Sequence, residues 1–222
     1  MKYRAVGFDV DGTLIKNIGY CWELFHERFG VADRVRLSLK RQYFEGKITY
    51  KEWGSREVAI WRELGVTRAD FIKVIGSLCL SDGMHETLEL LRQSGHFLFI
   101  LSGTLRIILE RLIPDYESLF DYTAVSNIVF DEEDRPNAFE PGHPLREARE
   151  SKRSELETLC SERGFALSET AYIGDNDNDL EVLEAVGLGI AFCPRNTRVR
   201  SAAKVAIENP DLRKVLPHIL GR

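Results

Sequence analysis

Short apolar runs recur along the chain, each followed by a turn and then by a stretch whose apolar positions repeat at helical spacing. The runs are residues 3–8, 97–101, 170–173 and 188–192, with 122–130 as a further candidate. Runs this short and this apolar suit strands buried on both faces, as in a parallel sheet flanked by helices. Residues 84–93, 105–112, 152–163 and 177–186 carry the helical period between them. The alternation predicts an α/β domain built as a doubly wound parallel sheet.

One region breaks that rhythm. Residues 15–81 show amphipathic helical patterns and no good strand. Trp22, Phe25 and Phe29 recur at helical spacing, as do Val58, Trp61 and Leu64. Gly30, Gly46 and Gly65 punctuate the segment as helix stops. The pattern predicts a helical cap subdomain over 15–81, inserted after the first strand, and a discontinuous core of 1–14 and 82–222. Its aromatic stripes suit the packing of a small bundle, with the lining of a ligand pocket as the alternative. Residues 131–144 are polar, open with four acidic residues and carry Pro136, Pro141 and Pro144, so an exposed loop is expected there.

Composition narrows the function classes. The chain has 222 residues, 44% of them apolar and 29% charged, the balance of an ordinary globular protein. A net charge of −5, spread along the chain, argues against a nucleic-acid partner, which would call for clustered Lys and Arg. Arg34, Arg36, Lys40 and Arg41 read as a solvated helix face. No run suits a signal peptide or a membrane span, and the four cysteines form no CxxC pair, so a reduced, cytoplasmic location is expected.

The first apolar run ends in Asp9-Val10-Asp11-Gly12-Thr13. Two carboxylates one residue apart point the same way from an extended chain, and the end of a parallel strand is where α/β sheets bind ligands. Such like charges are unfavourable unless a cation or a shared proton relieves them. A turn with a helix cap is the alternative at that point. Gly174-Asp175-Asn176-Asp177-Asn178-Asp179 follows another run and supplies more acidic and amide groups than one cap needs. Carboxylates from two strand ends suit a hard divalent ion, with Mg2+ the natural choice, and no His/Cys set for zinc is present. Ser102-Gly103-Thr104 follows residues 97–101 and is expected to open a helix, where backbone N–H groups and a hydroxyl form an anion site. Lys152 starts a helical stretch and taken alone would be a solvated lysine.

Taken in order, Asp9 through Thr13, Ser102-Gly103, Lys152 and Gly174-Asp175 through Asp179 resemble the four motifs of the haloacid dehalogenase superfamily. The match spans nearly the whole chain. A helical insert between the first two motifs, Phe44 through Ile48, and the segment 178–192 are similar to the superfamily's phosphoserine phosphatase-like branch. The resemblance implies a Rossmann-like core and a Mg2+-dependent phosphomonoester hydrolase acting on a small phosphorylated metabolite. It implies Asp9 as nucleophile, forming an aspartyl-phosphate, and Asp11 as general acid and then base. Mg2+ would be held by the Asp9 carboxylate, the Asp11 carbonyl and Asp175, with Asp179 completing or orienting the site and Asn178 supporting it. Thr13, Ser102, Lys152 and the Gly12 and Gly103 backbones would hold the phosphoryl oxygens.

Phosphoserine is the leading substrate by the same resemblance. The branch recognises the amino acid through a Glu early in the cap and an Arg beyond the Gly-Lys turn, yet the aligned positions here are Ile18 and Glu57. Glu23 or Arg56 are the displaced substitutes, and Tyr50, Trp53 and Arg56 are the cap residues expected to face the leaving group. A phosphatase for a different ester, a phosphomutase and a non-catalytic phosphate-binding protein are the alternatives. Dehalogenation is disfavoured by Asp11, the second carboxylate that dehalogenases of this superfamily lack.

Overall fold

The computed structural model describes residues 1–142 and 152–221. Its sheet comprises β1 (Ala5–Phe8), β2 (Phe97–Leu105), β3 (Tyr122–Phe130), β4 (Pro136–Glu140), β5 (Thr170–Gly174), β6 (Leu188–Phe192) and β7 (Val205–Ile207). The spatial order is β4-β3-β2-β1-β5-β6-β7, and every pairing is parallel except that of β3 with β4. The order reverses at β1, which lies between β2 and β5, so a crevice opens beyond the carboxyl ends of these three strands.

The helices are α1 (Cys21–Phe29), α2 (Asp33–Phe44), α3 (Tyr50–Glu63), α4 (Arg68–Ile75), α5 (Met84–Gln93), α6 (Arg106–Leu112), α7 (Tyr116–Leu119), α8 (Lys152–Arg163), α9 (Leu180–Ala185), α10 (Thr197–Ala202) and α11 (Leu216–Leu220). Successive sheet residues feed opposite layers, as the two-residue strand period requires. Val6, Phe8, Leu98 and Ile100 join Leu88, Leu91, Ile108 and Ile219 on one face. Ala5, Phe99, Leu101 and Tyr172 meet Leu156, Leu159, Val182 and Val199 on the other. The doubly wound reading therefore holds. No helix of the described residues is long and apolar enough to cross a membrane.

The segment 15–81 folds into α1 to α4. Gly30, Gly46 and Gly65 stand just beyond α1, α2 and α3 with φ of 73, 70 and 72°, the left-handed geometry that ends a helix. A Thr49–Glu52 capping box starts α3. The aromatic stripes pack on one another: Trp22 stacks on Trp61, and Phe25 and Phe29 meet Phe71. Leu64 departs from its stripe, lying past the end of α3 and exposed. Of the basic residues on α2, Arg34 and Arg41 are exposed, whereas Arg36 and Lys40 are half-buried and pair with Glu23 of α1.

Two expectations need correction. Residues 136–140 are strand β4 rather than exposed loop, and the turn is confined to residues 131–135. Pro136 misled the reading, because an edge strand tolerates a missing N–H at its first residue. Phe139 is buried against Trp22 and Tyr50, so the β3–β4 hairpin packs on α1 and α3. Pro144 lies outside the described residues. Secondly, β2 continues to Leu105, so Ser102-Gly103-Thr104 ends a strand and does not open a helix, which starts at Arg106. One strand was not foreseen: β7 has only three residues, two of them half-buried, too short to register as an apolar run.

Candidate active site

Asp9 extends β1 by one residue, its N–H donating to the Ile173 carbonyl. The chain then turns back tightly: Gly12 N–H donates to Ile15 and Thr13 N–H to Val10. Gly12 has φ of 83°, and a Cβ there would lie 2.1 Å from Asp175 Oδ2. Only glycine satisfies both demands, the left-handed backbone and the close approach of the β5 carboxylate. The turn brings Asp9, Asp175 and Asp179, all buried, to one place, with one oxygen of each within 4.8 Å of the others.

Lys152, the first residue of α8, is also buried. Its Nζ lies 2.8 Å from Asp9 Oδ1 and 2.7 Å from Asp179 Oδ1. Burial alone would push the ammonium down, but Asp179 and Asp9 more than offset it and hold it well above its usual value. Asp179 is fully engaged. Its Oδ1 also accepts from the Tyr172 hydroxyl at 3.1 Å, and its Oδ2 accepts the Asp175 and Asn176 N–H groups. Asp175 differs: Arg195 Nε donates to Oδ2 at 2.6 Å, while Oδ1 is buried without a partner. Burial, then the Asp9 and Asp179 charges, push its carboxyl up to about 8.

Asp11 points away from this cluster. Oδ1 accepts from Thr104 Oγ1 at 2.9 Å, and Oδ2 from the Cys21 N–H, at the start of α1, at 2.7 Å. Burial and the Asp9 charge raise its carboxyl from 3.8 to about 6, against the two hydrogen bonds. Ser102 is buried beside it and accepts the Thr104 N–H, and Trp22 of the cap donates to the Gly103 carbonyl at 3.2 Å. The Thr13 hydroxyl is buried with no hydrogen-bond partner. A small cavity remains, lined by Asp9, Asp11, Ser102, Gly103, Tyr20 and Asn178 among others.

The structure thus gathers the core residues singled out from the sequence. It scatters the cap residues. Tyr50 is buried, its hydroxyl 3.0 Å from Ser126 Oγ and 3.8 Å from where a Gly103 Cβ would stand. Trp53 is buried and stacks on Tyr20 of the cavity wall. Arg56 is exposed and donates to Gln42, and it does not line the cavity. Glu57 is buried within the cap, accepting from Trp53 Nε1 and pairing with His26, while the Ile18 side chain joins the apolar core. Thr104, Tyr172, Tyr20 and Arg195 were missed. Thr104 was within reach, standing in the quoted Ser-Gly-Thr, whereas Arg195 had no signal in the sequence.

Residues 6–184 match the family model of the haloacid dehalogenase-like hydrolases. The chain belongs to that family. Among haloacid dehalogenase-like hydrolases it is 28% identical to the phosphoserine phosphatase of Methanocaldococcus jannaschii, over 98% of either chain. It is 28% identical to the phosphoserine phosphatase of Streptococcus thermophilus, covering 94% of this chain and 92% of that one. A solved structure of a phosphoserine phosphatase carrying a phospho-aspartyl intermediate analogue superposes with a TM-score of 0.73 at 24% identity, over 99% of this chain and 100% of that one. That likeness establishes the shared fold.

Proposed function

We propose that the protein is a Mg2+-dependent phosphomonoester hydrolase that works through an aspartyl-phosphate on Asp9, with phosphoserine as its leading substrate. The observation that carries this reading is Lys152, a buried ammonium held between Asp9 and Asp179 beside a carboxylate oxygen, Asp175 Oδ1, that has no partner. Asp9, Asp175 and the Asp11 carbonyl offer the hard oxygen donors that fit Mg2+, and Asp179, whose oxygens are taken, orients Lys152 and the Asp175 loop. When bound, Mg2+ supplies charge that draws the phosphoryl dianion in and stabilises its transition state.

The chain's own residues do the rest. Asp9 attacks phosphorus, and Lys152, Ser102, Thr13 and the Gly12 and Gly103 backbones hold the phosphoryl oxygens. Asp11 donates a proton to the leaving alkoxide and then takes one from the attacking water. A carboxyl near 6 suits both halves of that exchange at neutral pH. Asn178 at the cavity rim supports the site from α9's side.

For the substrate, the support is the pair of phosphoserine phosphatase relatives. Glu23 is paired with Arg36 and Lys40, and Arg56 with Gln42, and neither lines the cavity. Tyr20 and Asn178 line the cavity with Asp9 and Asp11, which makes them the candidates to meet the leaving group in this reading. In a panel of phosphate monoesters with Mg2+, phosphoserine is expected to give the highest kcat/KM. A different ester ahead by tenfold or so would replace the substrate and leave the chemistry standing. No phosphate release with any ester or divalent ion would remove the hydrolase reading. Trp53→Ala and Tyr50→Ala are expected to shift the substrate ranking by about tenfold, whereas Arg56→Ala leaves it unchanged.

Metal removal has a pH signature. The Asp175 carboxyl, raised from 3.8 to about 8, keeps its proton in the folded chain after the unfolded chain has ionised. The metal-free protein therefore loses stability as pH rises through that window, and the loss is complete above it. Mg2+ binds the ionised form, so the rise in Tm on adding it should grow with pH across the same window. Differential scanning fluorimetry with and without Mg2+ checks this. A Tm gain that is absent, or that shrinks as pH rises, would sink the metal site.

A further inference from the structure

Arg195 lies in the loop between β6 and α10, apart from the elements that supply the acidic cluster. Three of its groups bond across the crevice. The backbone N–H donates to the Asp175 carbonyl at 3.0 Å, and Nε donates to Asp175 Oδ2 at 2.6 Å. Nη2 donates to the carbonyl of Ile18 at 2.7 Å, in the linker that carries the chain from β1 into the cap. The next linker residue is Gly19, where a Cβ would stand 2.7 Å from Nη1, so the linker is shaped to admit the guanidinium. Two residues further on, the same linker delivers the Cys21 N–H to Asp11.

One rigid fork therefore joins a core carboxylate to a cap-linker carbonyl. A lysine would place a single charge there and lacks the planar geometry that reaches both acceptors at fixed angles. An exposed ion pair is ordinarily weak, and the Arg195 side chain is 39% exposed. Its acceptors are not exposed, however: Asp175 and Ile18 are both buried. The bond to Oδ2 also decides which Asp175 oxygen stays free, namely the unpartnered Oδ1.

We propose that Arg195 is a positioning residue that ties the first cap linker to Asp175, so that a seated cap and an oriented Asp175 form one cooperative unit. Its consequence for turnover rests on reading Asp175 as a Mg2+ ligand; the tie itself does not.

Hydrogen exchange on the full-length protein, with and without Mg2+, tests the tie in Arg195→Ala and Arg195→Lys. Without metal, exchange at the hydrogen-bonded amides that flank the linker, Lys16 and Cys21, should rise at least about tenfold in Arg195→Ala, while β1, β2, β5 and α3 keep their wild-type rates. Arg195→Lys should leave the linker almost as unprotected, since charge without the fork does not hold the carbonyl. In the wild type Mg2+ should slow linker exchange further, and in Arg195→Ala that response should vanish. Wild-type linker exchange in Arg195→Ala would overturn the proposal. So would a rise spread evenly over sheet and cap, which marks a general loss of stability. Calorimetry of Mg2+ binding to the wild type separates the two readings. If no Mg2+ binds, the metal reading fails, and linker exchange in the metal-free protein still decides for or against Arg195.

Discussion

Asp9→Asn is expected to lower phosphate release from any monoester by at least about a thousandfold while leaving the protein folded. The amide is close in shape to the carboxylate and keeps an oxygen for Lys152, whose Nζ now lies 2.8 Å from Asp9 Oδ1. What it loses is the anionic nucleophile. Asp11 cannot take its place, because its two oxygens are turned to Thr104 and to the Cys21 N–H. Asp175 cannot either, with Oδ2 on Arg195 and its carboxyl raised toward neutrality. The variant should also fail to accumulate acid-stable label from a phosphate donor of which the wild type retains a trace. Steady-state assays, a thermal melt and quenched labelling together check it. A folded Asp9→Asn protein with near-normal turnover would remove the aspartyl-phosphate route.

Much of this candidate site is legible in the sequence, and the reasons are physical. Asp9 and Asp11 follow a run that a parallel sheet must bury, and Gly12 permits the sharp return that no other residue allows beside Asp175. Motifs at strand ends converge because strand ends converge. Residues 15–81 were legible as helices, through aromatic spacing and three glycine stops, but the faces of those helices were not. Whether Tyr50, Trp53, Arg56 and Glu57 look at the cavity or at one another depends on how the helices pack. That packing is decided partly by Phe139, on a strand hidden behind proline and acidic residues. Trp53, Glu57, His26 and Trp61 form a buried polar chain of two hydrogen bonds joined by the His26–Glu57 contact, which no local pattern announces because its members come from two helices. Arg195 was invisible for the same reason: its partners lie 20 and 177 positions away.

Lys152→Met should cost more stability than any other single change at the site. Asp9 and Asp179 are both buried, and Lys152 is the one ammonium among the described residues that touches both. Methionine keeps the bulk of the side chain but leaves the carboxylates to each other. Removing one partner of a buried ion pair typically costs about 3–5 kcal/mol, well above the roughly 1 kcal/mol at most that a surface pair contributes. Chemical denaturation at neutral pH should show a loss of that order, together with loss of turnover. The deficit should shrink as pH falls, because Asp179, whose carboxyl burial already raises, can then take a proton and cease to be an unpaired charge. Lys152→Met combined with Asp179→Asn removes one of the two stranded charges, so it should regain part of the stability and none of the activity. That split is the informative outcome. If the single variant melts with the wild type, the lysine is not holding the carboxylates, and its place in the phosphate site loses its main support. If the double variant recovers turnover, Lys152 acts only on Asp179 and contributes nothing to phosphoryl transfer.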